Sequence, residues 1–142
     1  MKYLRELASL MTDGKCLQYN EEGKVEFKRI GIKAMKELAV ALELKEYNVS
    51  FNPGGIAVSG DLLLMGMWNE NLGVYISMNK DFLNAPWGQV LYRTIKHMKD
   101  YTGGSNNWLK FESLARPEEL KNTIMRLKPQ SMIKNEVISN VA

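Results

Sequence analysis

Glu46-Tyr47-Asn48-Val49-Ser50-Phe51-Asn52-Pro53-Gly54-Gly55 is the stretch that decides the fold class. Tyr47, Val49 and Phe51 alternate with Glu46, Asn48 and Ser50, the period of a half-buried strand. Asn52-Pro53-Gly54-Gly55 then turns the chain, because proline fixes φ and glycine permits positive φ. Downstream, residues 56–59 and 62–68 predict two more strands, broken at Gly60-Asp61. After a turn over 69–73, Val74, Ile76 and Met78 alternate with Tyr75 and Ser77. Residues 80–88 read as a loop, 90–97 as a last strand, and 99–107 as loop again. Strands joined by short turns favour antiparallel pairing.

Helical spacing lies outside this region. Leu4, Leu7, Ala8 and Met11 predict a helix over 2–13, with Gly14 as its stop. Residues 15–29 read as a hairpin, with Leu17 and Tyr19 on one arm and Val25 and Phe27 on the other. Its turn is Asn20-Glu21-Glu22-Gly23. Ile32, Met35, Leu38, Ala39 and Leu42 stripe a helix over 31–44, with Lys33, Lys36, Glu37 and Glu43 on its wet side. A last helix spans 117–128, opened by Pro117, Glu118 and Glu119 and stopped by Pro129. Helices at both ends around a run of strands predict an α+β fold. The expectation is one domain over 1–128, an antiparallel sheet of about four to six strands packed with N-terminal helices and a C-terminal helix. Residues 129–142 read as a tail with weak periodicity, the kind of terminus that is often mobile.

Composition narrows the function. Hydrophobic residues make up 45% of the 142 and charged residues 25%, the balance of a globular chain rather than a disordered one. No apolar run approaches the roughly 20 residues of a membrane span. The start, Met1-Lys2-Tyr3-Leu4-Arg5-Glu6, carries no secretory apolar region. One cysteine, Cys16, and one histidine, His97, allow neither an internal disulfide nor a Cys/His zinc site. The expected location is therefore cytoplasmic. The net charge of +3 is too small to announce a nucleic-acid binder, but it is unevenly spread. Residues 46–79 contain no Lys or Arg, whereas 80–110 carry Lys80, Arg93, Lys96, Lys99 and Lys110 against Asp81 and Asp100.

The candidate working surface lies in that basic segment. On a strand, Leu91, Arg93, Ile95 and His97 face one way and Tyr92, Thr94 and Lys96 the other. Arg93 offers a fork to phosphate, and Lys96 and Lys99 offer point charges. Gly103 and Gly104 would let backbone N–H groups approach a ligand closely. Thr102, Asn106 and Asn107 add polar donors, and Tyr92, Tyr101 and Trp108 add faces on which a base could stack. The same residues equally fit an ordinary solvated face, a turn and a core anchor. Two lesser candidates carry the same ambiguity. The turns 52–55 and 59–61 are explained by hairpin geometry alone. Trp68, Phe82 and Trp87, near Met65, Met67 and Met78, fit core packing better than a partner surface.

Catalysis finds little support. His97, Asp100 and Ser105 have the residue types of a triad, but no nucleophile elbow or phosphate loop is present. No cofactor, metal or catalytic residue is therefore assigned. The blocks 51–60 and 91–104, with Asn107-Trp108, resemble small accessory proteins of bacterial phages and mobile elements. That resemblance implies a counter-defence setting of the anti-CRISPR kind. The partner it implies is a host defence protein or ribonucleoprotein complex. The leading expectation is a non-enzymatic binding protein acting through a sheet-and-loop surface around 91–108. The alternative is direct binding of nucleic acid or a nucleotide by Arg93, Lys96, Lys99, Tyr101 and Trp108. A homodimer of a short sheet through exposed Met and Trp edges is a further expectation.

Overall fold

Helix α2 (Glu21–Ala41) carries the helical layer. Phe27, Ile30, Ala34, Met35 and Leu38 recur at three- and four-residue spacing and are all buried. Glu21 and Glu22 sit in the first turn, where the helix dipole favours anions. These facts correct the expected hairpin: residues 21–29 are the opening turns of α2, and Gly23 is buried in the helix instead of turning the chain. The period-two reading failed because Val25 and Phe27 lie on different helical faces. Val25 is 63% exposed and Phe27 is fully buried. Leu17, Tyr19 and Asn20 lie outside the described residues, which are 1–12, 21–55, 58–82 and 88–129 of this computed structural model.

Five strands form one antiparallel sheet in sequence order: β1 (Glu46–Asn52), β2 (Asp61–Met67), β3 (Gly73–Asn79), β4 (Val90–Ile95) and β5 (Asn107–Leu109). The α+β class and the antiparallel pairing read from the sequence are both present. The strand expected over 56–59 is not found at Val58 and Ser59, which lie in the β1–β2 connection; 56 and 57 lie outside the described residues. Ser59 is instead buried, its N–H and hydroxyl both donating to the Asp81 carboxylate (2.9 and 2.8 Å). Strand β4 ends at Ile95 rather than residue 97, and β5 lies in a stretch read mostly as loop. Asn107 and Leu109 had no periodic neighbours to announce a three-residue strand.

Helix α2 packs across β1 and β2, and α1 (Lys2–Thr12) packs on α2. Gly31 lets α2 lie close to the sheet, since a Cβ there would come within 2.8 Å of Leu62. Glu37, expected on the wet side, is half-buried and accepts hydrogen bonds from the N–H groups of Tyr3 (3.3 Å) and Leu4 (3.1 Å). It supplies α1 with an anionic cap from another helix. A 3₁₀ turn (Phe111–Ala115) and α3 (Pro117–Met125) close the helical layer through Phe111, Leu114, Leu120 and Ile124. Pro117 opens α3 as expected. Of the tail, only Pro129 lies among the described residues.

The opposite face of the sheet carries no helix among the described residues. Register places Asn48, Met65, Tyr75 and Arg93 in one row on it, and Ser50, Leu63, Ser77, Leu91 and Trp108 in the next. Met65, Met67 and Ile95 form a small second cluster there, with Met98 packed against it. Trp68 belongs to the main core, its indole N–H donating to the Leu42 carbonyl at 2.8 Å. Met78 is core as well, while Trp87 and the Phe82 side chain lie outside the described residues.

Candidate functional site: the open sheet face and the 96–106 loop

Arg93 and Asp100 build the loop that follows β4. Arg93 points onto the open face, where its guanidinium carbon stacks 4.2 Å from the centre of the Tyr75 ring. It is only 4% exposed. One guanidinium nitrogen donates to the Gly103 carbonyl and, more weakly, to Thr94 (3.5 Å); the other donates to Asp100 (3.2 Å). The fork expected to meet a phosphate is therefore spent on the protein's own backbone. Arginine suits this position because its planar fork can serve two carbonyls at once while stacking on an aromatic ring.

Asp100 completes the brace from the other side of the loop. Its carboxylate accepts from the N–H groups of Lys96 (3.0 Å), Thr102 (3.2 Å) and Gly103 (2.7 Å). The Lys96 N–H bond, helped by those from Thr102 and Gly103, holds the Asp100 carboxyl below the usual carboxylate range against the opposing effect of partial burial. These contacts settle the geometry of two expected ligand residues. Gly103 lies against Asp100, where a Cβ would overlap the carboxylate. Gly104, at φ +74°, lies against the Thr94 backbone. Both glycines allow a close approach, and the groups approached are this chain's own, Asp100 in the β4–β5 connection and Thr94 in β4.

The other expected site residues divide by position. Lys96, His97, Lys99, Tyr101, Thr102 and Asn106 are exposed along the loop. Tyr101 is 61% exposed. Asn107 is half-buried, its side-chain amide donating to the carbonyls of Tyr92 (3.2 Å) and Ser105 (3.0 Å). Trp108 stands on the open face opposite Leu91, 36% exposed. Along this row toward β1, Ser50, Asn52, Asp61, Leu63, Tyr75 and Ser77 line a shallow depression of about 320 Å³. Asn79 donates to Asp61 at its rim (2.8 Å).

Sequence reasoning missed Asp100 and Tyr75 as organising residues. A signal for Asp100 was available: an aspartate followed by Thr102 and Gly103 is suited to bond backbone N–H groups two and three residues on. Tyr75 could be found only through the strand register that sets it beside Arg93. The carboxylate of Asp100 accepts from three backbone N–H groups, and no hydrogen bond joins it to the His97 side chain as a triad would require. Among the described residues no group of three or more His, Cys, Asp or Glu side chains is arranged to hold a metal ion. No helix among them is long and apolar enough to cross a membrane.

The charges on this surface are dipolar. Glu46 and Asp61 lie at the β1–β2 side, while Lys96 and Lys99 lie on the loop beyond β4. Such a field orients a partner more than it concentrates a polyanion. No family model, curated protein or solved structure matches the chain.

Proposed function

We propose that this chain is a non-enzymatic binding protein that engages a protein partner through the 96–106 loop and the adjoining open sheet face. One observation carries the reading: the loop's inward groups are consumed by Arg93 and Asp100, while Tyr101, Lys96, Lys99 and His97 stand outward on a braced frame. A loop held in one shape loses little conformational entropy on binding. Tyr101 and Trp108 are the residue types that anchor protein interfaces. The resemblance to phage and mobile-element accessory proteins suggests the class of partner, a host defence protein or ribonucleoprotein complex. Direct nucleic-acid or nucleotide binding is the second reading, favoured by exposed Lys96 and Lys99 beside Tyr101 and Trp108. It loses its best phosphate ligand with Arg93 turned inward.

The test pairs two measurements on the full chain. Tagged wild type and a Tyr101→Ala/Trp108→Ala variant are used to capture partners from bacterial lysate carrying defence systems. Single-stranded DNA, duplex DNA and RNA are titrated by fluorescence anisotropy. A stoichiometric protein recovered by wild type and lost with the variant, with no nucleic-acid binding, is the expected result. Salt-sensitive nucleic-acid binding lost in Lys96→Ala/Lys99→Ala would replace this reading with the second.

A further inference from the structure

The two edges of the sheet are unlike. Strand β5 is a three-residue edge, too short to template another strand. Strand β1 is seven residues long and paired with β2 along its whole length. It contains neither proline nor lysine, the residues that commonly blunt such edges. No described strand pairs with its outer side.

Register shows which backbone groups face outward. Trp68 N–H donates to the Leu72 carbonyl (2.9 Å), one step beyond the Met67–Gly73 pair. Hydrogen-bonded pairs alternate along an antiparallel ladder, so the even-numbered residues of β2 bond to β3 and the odd-numbered ones bond to β1. The β1 residues opposite those odd positions are Glu46, Asn48, Ser50 and Asn52. The bond from Lys45 N–H to Met67 (2.9 Å) ties the entry of β1 inward at the same end. Tyr47, Val49 and Phe51 therefore direct their N–H and C=O groups away from the sheet.

We propose that β1 is a homodimerisation edge, pairing antiparallel with β1 of a second copy about a two-fold axis at Val49. The sequence is complementary to itself in that register. Val49 faces Val49 and Tyr47 faces Phe51, so every outward N–H and C=O of these three residues meets a partner. On the helix-side face, Tyr47–Phe51 is an aromatic cross-strand pair, a favourable type. On the open face, Asn48 meets Ser50 and Glu46 meets Asn52, with no like charges opposed. The exposure of Tyr47, 40% in the single chain, is explained by this pairing. The two sheets become one, and their open faces become a continuous surface. This dimer does not depend on the partner proposed for the 96–106 loop.

The test is sedimentation of the full chain over low to high micromolar concentration, with three variants. Wild type should move from monomer to twice the monomer mass. Val49→Pro removes an outward N–H while leaving the β1–β2 ladder bonds in place, and should stay monomeric. Tyr47→Lys places a charge at the edge, at a position whose side chain is already exposed, and should also stay monomeric. Val49→Cys in a Cys16→Ser background should cross-link under oxidised glutathione. A two-fold at this residue sets the two Cα atoms about 5.5 Å apart, within disulfide reach. A wild type that is monomeric throughout would overturn the proposal. So would a dimer that persists in Tyr47→Lys and fails to cross-link through residue 49, which would place the interface or the occupant of β1 elsewhere.

Discussion

Replacing Arg93 tests the reading that the 96–106 loop is braced from within. The side chain is 4% exposed and serves the Gly103 and Asp100 carbonyls while stacking on Tyr75. Each hydrogen bond from a charged donor contributes about 1.5 kcal/mol net. The guanidinium stacked on the half-buried Tyr75 ring adds about 1 kcal/mol, between the exposed and the fully desolvated values. Arg93→Ala should therefore cost about 4 kcal/mol, a large share of the 5–15 kcal/mol that holds a typical domain. Arg93→Lys keeps the charge but lacks the planar fork, so it should recover roughly half of that loss. Urea unfolding followed by tryptophan fluorescence gives the magnitude, and amide exchange gives the location. With a urea slope of about 2 kcal/mol/M, the alanine variant's midpoint should fall by roughly 2 M. Exchange should rise first at Thr102 and Gly103, whose N–H groups bind Asp100. A loss below about 1 kcal/mol with unchanged loop protection would refute the brace.

Further outcomes follow from the same contacts. Asp100 has a folded-state pKa depressed below its unfolded value, so its stabilisation is complete above the ordinary carboxylate range and is lost as pH falls through the lowered folded value. Thr102 and Gly103 amides should stay protected by NMR from neutral pH down through the ordinary carboxylate range, and loss of protection above that range would refute the assignment to Asp100. Glu37→Ala removes the acceptor for two N–H groups at the start of α1 and should cost about 1 kcal/mol in chemical denaturation, only part of it recovered by Glu37→Gln, whose amide has one acceptor oxygen where the carboxylate has two. Gly73→Ala would drive a Cβ into the Gly66 carbonyl and against Met67, and should lower stability by about 1–3 kcal/mol in thermal or urea unfolding.

Much of the architecture was legible because it is set by near neighbours. The alternation at Tyr47, Val49 and Phe51 and the stripe at Met35, Leu38 and Ala39 each encode an inward face, and the residues at 52–55 encode the end of a strand. Pro117 and the following glutamates mark the start of α3 for equally local reasons. On these grounds the sequence by itself determined the α+β class, the antiparallel pairing and which β4 residues share a face with Arg93. Tertiary structure decided what those residues do. Phe27 extends α2 because the sheet supplies the surface that buries it. Glu37 becomes a cap because α1 begins beside it, 33 residues away in the chain. Arg93 turns inward because the chain returns with the Asp100 and Gly103 carbonyls and β3 supplies Tyr75. A periodic pattern states that a side chain is to be buried. The partner for its polar atoms is fixed only when distant segments meet, and for a buried guanidinium that partner decides between a ligand site and a brace.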